Sequence, residues 1–239
     1  MPQRLQTGGL LWVGMGRLTM EERGFKVTEH DGELLVLGSE VLRSHELLDR
    51  GLSRLLVVDV QERLLDHIPV SELLVERCRR LIRAAQLLGI PVSATEQYPV
   101  GLGPTSAVLS SLLVEGEGVP DGVSRIPEKQ RFSCTECLGW GPASEVADGR
   151  QQVVVCGIES HVCVMQTSLD LLASGFRVFV PADAVASRHK LDWTTALSRL
   201  RDAGVVVLTT ESVLFEWCEE AGTDEFRAIS RLVTGRDGA

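Results

Sequence analysis

The feature that most constrains this chain is an alternation of short apolar runs with helical patterns. Five such runs recur, at residues 55–60, 90–95, 153–156, 176–181 and 205–210. Near-continuous runs of Val, Ile and Leu are typical of strands that are buried on both faces of a sheet. We therefore predict an α/β fold, a Rossmann-like three-layer sandwich with a mostly parallel sheet of about six strands.

The clearest helical pattern follows the first apolar run. Ser71 is a predicted N-cap, apolar residues then recur every three or four positions from Leu74 to Leu88, and Gly89 ends the pattern. Four further helices are predicted, at residues 163–174, 193–203, 212–220 and 224–233. Helices between successive strands favour a parallel sheet that is covered on both faces.

The first part of the chain differs from the rest. Its glycine content is high, its periodicity is poor, and two β-like runs flank Asp31-Gly32, a strong hairpin signal. We predict an N-terminal extension at residues 1–50, which is either a small accessory hairpin or a loosely held arm, then one domain at residues 51–233 and a flexible tail at residues 234–239.

Charge and hydropathy limit the classes of function. The chain has 239 residues and a formal net charge of −9, whereas general binders of nucleic acid or anionic membranes need a cationic surface. No apolar run reaches the length of about 18 residues that a membrane span requires. We expect no nucleic-acid partner and no membrane partner.

The six cysteines indicate a reducing compartment. They are Cys78, Cys134, Cys137, Cys156, Cys163 and Cys218. Two of them fall in predicted core segments, because Cys78 lies on a helix face and Cys156 lies in a strand. Thiols in such positions are typical of a reduced protein, and we predict a cytoplasmic location.

Polar residues at the strand ends form the candidate site. In parallel sheets the functional site lies at the carboxyl ends of the strands. Asp59, Lys129 and Cys163 all fall at or after such ends, and the helix predicted to begin at Cys163 favours a thiolate. Each residue also has a simpler interpretation: a turn-forming Asp, a solvated Lys and a buried small Cys.

Four motifs in order carry a resemblance. DVQ at 59–61, KQRFS at 129–133 and GIESHVCVMQT at 157–167 resemble the isochorismatase-like cysteine hydrolases. The stretch TEQYPVGLGPT at 95–105 resembles their isochorismatase-domain-containing branch. The similarity extends from about Leu52 to Leu232, which is most of the chain.

This resemblance implies a catalytic triad of Asp59, Lys129 and Cys163. Asp59 would accept the thiol proton, while Lys129 would stabilise the anions and keep the thiolate fraction high. The resemblance further implies that the backbone N–H groups of Glu159 and Cys163 bind the oxyanion, with a cis peptide between Ile158 and Glu159. The implied activity is hydrolysis of a small amide or related acyl substrate, a C–N amidohydrolase reaction, through a thioester.

Differences from related branches of the family narrow the expected metal content and reaction type. The nicotinamidase branch binds a metal through an Asp-x-His-x-x-x-His pattern, and the five histidines of this chain do not have that spacing. We therefore expect no metal and no cofactor. Isochorismatases that cleave an enol ether lack the cysteine, so Cys163 favours acyl transfer. The family resemblance also implies a homo-oligomer.

Further residues are candidates for contact with a small-molecule substrate, namely Gln61, Glu96, Gln97, Tyr98 and His161. Side-chain amides can bind a carbonyl or amide group. His161 lies two residues before Cys163, a spacing at which side chains seldom face each other, so we expect it to line the pocket or a subunit interface.

Two alternative functions remain at this point. One is a binding or regulatory protein that keeps the fold but is catalytically weak. The other is a thiol redox protein that uses Cys134 and Cys137, a CxxC pair directly after the lysine motif. A single pair of cysteines is weak evidence for zinc, which prefers four ligands.

Overall fold

The structure, a computed structural model, describes residues 4–5, 25–30, 33–39, 43–114 and 126–236. The chain forms two compact units, Met1–Leu47 and Leu48–Ala239. In the first unit an antiparallel sheet has the order β1-β3-β2, with β1 at Arg4–Leu5, β2 at Phe25–His30 and β3 at Glu33–Ser39. The predicted turn at Asp31-Gly32 lies outside the described residues.

The second unit is built on a parallel sheet. Its strands are β4 (Ser53–Val58), β5 (Val92–Gln97), β6 (Glu128–Lys129), β7 (Gln152–Ile158), β8 (Arg177–Pro181), β9 (Val185–Ala186) and β10 (Val206–Leu208). The spatial order is β10-β8-β7-β4-β5-β6, and β9 pairs with β7. All these pairings are parallel. The predicted α/β fold is confirmed, with seven strands rather than six.

Helices connect these strands. They are α1 (Glu62–Leu65), α2 (Ser71–Leu87), α3 (Pro99–Leu102), α4 (Ala107–Val114), α5 (Thr135–Leu138), α6 (Met165–Ala173), α7 (Lys190–Asp202), α8 (Thr210–Cys218) and α9 (Asp224–Thr234). Helices α2, α4, α8 and α9 cover one face of the sheet, and α6 and α7 cover the other. Among the helices in the described ranges, none combines the length and the apolarity needed to cross a bilayer.

Strand β4 shows why the sheet is buried on both faces. Its side chains alternate, so that Leu55 and Val57 join the core under α2, whereas Leu56 and Val58 join the core under α6 and α7. All four side chains are buried. A continuous apolar run is therefore required here, because either face of the strand meets a layer of helices.

Three local details differ from the predictions. Helix α2 begins at Ser71, and its N-cap is Val70, which provides no side-chain cap. The turn Ser160–Val164 is π-helical, so Cys163 precedes α6 instead of opening it. Lys129 lies in strand β6 rather than in a loop, a two-residue strand too short to produce a periodic signal.

Gly157 allows two central strands to approach each other near the site. It is paired with Val58 in the ladder between β4 and β7 and has a φ of +116°. A Cβ atom at this position would lie 2.1 Å from the carbonyl oxygen of Val58. Only glycine fits, because any larger residue would push apart the strands that carry Asp59 and Glu159.

We expect Gly157→Ala to lower the free energy of unfolding by at least about 3 kcal/mol, since backbone overlap adds to the strain of a positive φ. Gly204→Ala is the matched control, because Gly204 has a φ of +100° but no atom within 4 Å of the added Cβ. The control should lose only about 1–2 kcal/mol. Urea unfolding followed by circular dichroism measures both, and equal losses would contradict the packing argument.

Candidate active site

The structure brings the three predicted catalytic side chains together. Asp59 directly follows β4, Lys129 ends β6, and Cys163 lies in the turn after β7. Lys129 Nζ lies 2.7 Å from Asp59 Oδ2, and these side chains are 2% and 0% exposed. The Asp59 carboxylate also raises the pKa of the buried Cys163 thiol, so the two groups interact. The result is a buried carboxylate that interacts with an ammonium group and with a thiol.

Asp59 is held by strand β5. Its backbone has a φ of +51°, an uncommon conformation for a residue other than glycine. Its N–H donates to the carbonyl oxygen of Thr95 at 3.1 Å, and Thr95 Oγ1 donates to Asp59 Oδ1 at 2.8 Å. Thr95 was not among the predicted site residues, although its place near the carboxyl end of a strand was a usable signal.

Hydrogen bonds hold the side chain of Lys129 in place. Besides Asp59, its ammonium group donates to Gln97 Oε1 at 2.7 Å, to the carbonyl oxygen of Phe132 at 2.9 Å and to that of Arg131 at 3.2 Å. Gln97 Nε2 in turn donates to the carbonyl oxygen of Gln130 at 2.8 Å. Gln97, predicted to contact substrate, here positions the lysine.

Burial and the neighbouring charges act in opposite directions on the pKa of each member of the ion pair. Burial raises the pKa of Asp59, although Lys129 acts in the opposite direction. Burial lowers the pKa of Lys129, but Asp59, Cys134 and Cys163 outweigh this effect, so that the lysine pKa is raised overall. A carboxylate with a raised pKa is a stronger base than an exposed Asp, which suits it to accept a proton.

The expectation of a thiolate at Cys163 was wrong for this state of the protein. Burial raises the pKa of Cys163, and the Asp59 carboxylate raises it further, while Lys129 lowers it less. The sequence argument relied on an exposed helix start, whereas the residue is buried within a π-helical turn beside a negative charge. Cys163 is therefore a neutral thiol next to a base.

The predicted oxyanion residues, Glu159 and Cys163, lie close together in the chain. The peptide bond between Ile158 and Glu159 is cis, as the resemblance implied. Glu159 precedes the Ser160–Val164 turn that contains Cys163. Its Oε2 accepts hydrogen bonds from the backbone N–H of Arg188 at 3.0 Å and from Arg188 Nε at 3.2 Å. Arg188 was not predicted, since nothing in its sequence surroundings indicates this contact.

Two of the predicted substrate-binding residues instead hold the loop after β5. Gln61 is 0% exposed. Its Nε2 donates to the carbonyl oxygens of Gln97 at 3.0 Å and Gly103 at 2.6 Å, and its Oε1 accepts from Gln97 N–H at 2.8 Å. Glu96 Oε1 accepts from Thr105 N–H at 2.6 Å and from Thr105 Oγ1 at 2.7 Å. These contacts fix both ends of the loop.

The remaining two candidates differ in accessibility. Tyr98 is 48% exposed and has a φ of 38°, and it caps the short helix α3. His161 is more enclosed, with Nδ1 3.0 Å from Ser187 Oγ and Nε2 3.9 Å from Asp192 Oδ2. Tyr98 is therefore better placed to contact a substrate that enters from solvent.

Cys134 is a second buried thiol beside the ion pair. Its Sγ lies 3.3 Å from Thr95 Oγ1, and its N–H donates to Thr167 Oγ1 at 3.0 Å. Burial, reinforced by Asp59, raises the pKa of Cys134 to about 11, so this thiol is neutral at pH 7.

All six cysteines are free thiols, and none forms a disulfide. Among the described residues, no three His, Cys, Asp or Glu side chains form a group that could hold a metal ion.

We expect Gln61→Leu to lower the free energy of unfolding by about 2–4 kcal/mol, because it leaves buried backbone groups without partners. Gln151→Leu is the matched control, since Gln151 donates one hydrogen bond, to the carbonyl oxygen of Ala143, from an exposed position. That control should cost less than about 1 kcal/mol. A small loss for Gln61→Leu in urea unfolding would mean that the loop does not depend on this side chain.

Comparison with known proteins assigns the family. The Isochorismatase domain matches residues 53–212. Isochorismatase domain-containing protein 2 of Bos taurus is 36% identical over 187 residues, which is 77% of this chain and 83% of that protein. The secreted isochorismatase effector Isc1 of Phytophthora sojae is 36% identical over 200 residues, covering 84% of this chain and 92% of the effector.

Solved structures agree with this assignment. The MAR1 ribonuclease from Caenorhabditis elegans has a TM-score of 0.68 and 34% identity, covering 79% of this chain and 92% of that one. The ycaC gene product of Escherichia coli, an octameric hydrolase of unknown specificity, shares the fold with a TM-score of 0.64 at 22% identity, covering 82% and 98%. From its sequence match and its fold together, the chain belongs to the isochorismatase-like hydrolase family.

Proposed function

We propose that this protein is a cysteine-dependent hydrolase that cleaves a small amide or related acyl substrate through a thioester intermediate. The observation that carries the proposal is the buried Asp59–Lys129 ion pair, whose carboxylate acts on the buried thiol of Cys163. A nucleophile next to a base, with the base oriented by a third group, is the arrangement that covalent catalysis needs.

In the first half of the reaction, Asp59 accepts the thiol proton as the sulfur of Cys163 attacks the substrate carbonyl carbon. The C–S bond forms, and the carbonyl oxygen becomes an oxyanion that accepts hydrogen bonds from the backbone N–H groups of Glu159 and Cys163. The tetrahedral intermediate then expels the amine, which takes the proton from Asp59. The product of this half is a thioester on Cys163 and a free amine.

In the second half, water replaces the amine. Asp59 accepts a proton from the water as its oxygen attacks the thioester, and the second tetrahedral intermediate expels the sulfur, which recovers the proton from Asp59. The acid leaves and the thiol is restored. Lys129 keeps its proton throughout, since its charge stabilises Asp59 whenever the carboxylate is ionised.

The surroundings support a small substrate. Cys163 is 6% exposed, so that only a compact acyl group can reach the sulfur without rearrangement of the turn. Of the predicted contact residues, Tyr98 is the one that is open to solvent, and it would meet the part of the substrate that points away from the thiol. This favours small carboxamides over peptides.

The decisive variant is Asp59→Asn. It removes the negative charge that raises the pKa of Cys163 and leaves Lys129, which lowers it. We therefore expect iodoacetamide to alkylate Cys163 about tenfold faster or more at pH 8, while turnover of an amide library falls at least about a hundredfold because the base is lost. Intact-protein mass spectrometry measures the first quantity, and amine release measures the second.

Four comparisons make this test specific. In the wild type, alkylation should rise with pH without a plateau below pH 9, because burial and Asp59 raise the thiol pKa. Lys129→Met should slow alkylation, and Cys163→Ala should remove the labelled site. Asp148→Asn, which breaks an ion pair with Arg54 elsewhere, is the matched control. Slower alkylation of Asp59→Asn than of the wild type would contradict the proposed base.

Ribonuclease activity is the second candidate. The observation in its favour is the 34% identity to the MAR1 ribonuclease of Caenorhabditis elegans. The net charge of −9 acts against it, because an RNA backbone is attracted to a cationic groove. Incubation of single-stranded and hairpin RNA with the wild type and Cys163→Ala separates the two. RNA cleavage that disappears in Cys163→Ala would replace amide hydrolysis as the assignment.

The same assays address the catalytically weak alternative. A protein that is alkylated at Cys163 but releases no amine, and cleaves no RNA, would be a binding or regulatory member of the family.

We further propose a homo-oligomer, as in the octameric ycaC product, and a cytoplasmic location consistent with six free cysteines. Sedimentation velocity measures the first of these.

A further inference from the structure

A cavity of about 320 Å³ lies at the carboxyl edge of the sheet, between the N-termini of α2 and α7. Its walls are mainly apolar and include Val70, Leu73, Val185 and Trp193. Neither Asp59, Lys129 nor Cys163 lines it. A volume above about 300 Å³ is in the range of pockets that bind small organic molecules.

Two polar side chains of the cavity wall, Trp193 and Asp183, already have hydrogen-bond or ion-pair partners within the protein. Trp193 Nε1 donates to the carbonyl oxygen of Ala182 at 3.1 Å, which fixes the ring as a wall. Asp183 Oδ1 accepts from Thr210 N–H at 2.7 Å and from Thr210 Oγ1 at 3.0 Å, and its Oδ2 lies 3.3 Å from Arg77 Nε. Asp183 is therefore neutralised and does not oppose an anion.

The rim of the cavity carries one uncompensated cation. Arg188 and Lys190 both line it; Arg188 is paired with Glu159, whereas Lys190 has no ion-pair partner in the part of the chain that the structure describes. Lys190 is the first residue of α7, whose N-cap, His189, provides no side-chain cap. The positive end of this 13-residue helix adds to the lysine charge at the cavity, and Asp192 in its first turn offsets part of that helix charge. Together these groups favour a negative charge at the rim.

We propose that this cavity is a second ligand site, distinct from the thiol site, for a small organic anion: an apolar body in the cavity and a carboxylate at Lys190. The apolar walls supply most of the affinity, and the rim orients the acid group. Anion binding in this cavity does not require that the protein hydrolyses amides, so each of the two proposals can be tested separately.

Isothermal titration with 1-naphthaleneacetate and its alcohol analogue, 2-(1-naphthyl)ethanol, tests this proposal. Neither probe contains an amide or ester that the enzyme could hydrolyse. We expect one molecule of naphthaleneacetate per chain, bound about two- to fivefold more tightly than the alcohol, which is the effect of one partly exposed ion pair. No measurable binding of either probe would overturn the proposal.

Two pairs of variants locate the site. Val70→Trp fills the cavity and should weaken both probes at least about tenfold, whereas Val108→Trp, at an equally exposed position on α4, should not. Lys190→Gln should abolish the preference for the acid, whereas Arg199→Gln, on an exposed part of the same helix, should keep it. Circular dichroism melting checks that the variants are folded.

Either of two results would refute the assignment. Unchanged affinity in Val70→Trp would place the probe elsewhere on the protein. A lower sedimentation mass for Val70→Trp, with no probe binding to the wild type, would mean that a second copy of the chain occupies this face.

Discussion

The site depends on one interaction, the ion pair between Asp59 and Lys129 in a region with almost no solvent. A buried pair of charges contributes little to stability by itself, but removing one partner leaves an uncompensated charge that costs about 3–5 kcal/mol. This asymmetry explains why Lys129 has three hydrogen-bond acceptors besides its ion pair with Asp59, and why Asp59 is held by Thr95. The fold supplies these partners because three parallel strands end at the same edge.

Burial has a second effect on the chemistry. It keeps Cys163 protonated at rest and raises the pKa of Asp59, so that proton transfer is coupled to attack on the substrate. A permanently ionised cysteine would react with many electrophiles and oxidants. A neutral thiol beside a base restricts reaction to molecules that fit between them.

The sequence was sufficient for the central strands of the sheet, because long apolar runs are local signals. The grouping of Asp59, Lys129 and Cys163 came from the family resemblance, since each of them alone also had a simpler interpretation. The sequence did not predict β6 or β9, which are two residues long and exist through pairing with neighbouring strands. Gln61 was predicted to contact substrate, yet its partners Gln97 and Gly103 lie more than 30 residues away in the chain. The protonation state of Cys163 likewise depends on burial, which a local sequence pattern does not specify.

The shortness of β6 has a consequence for dynamics. This strand lies at the edge of the sheet, is joined to β5 along two residues, and carries Lys129 at its end. Edge elements of this size open locally at a lower free energy than the central strands do. Detachment of this edge would separate the cation from Asp59 and disassemble the site while the two helical layers stay folded. The working lifetime of the protein is then set by this two-residue edge strand rather than by its core.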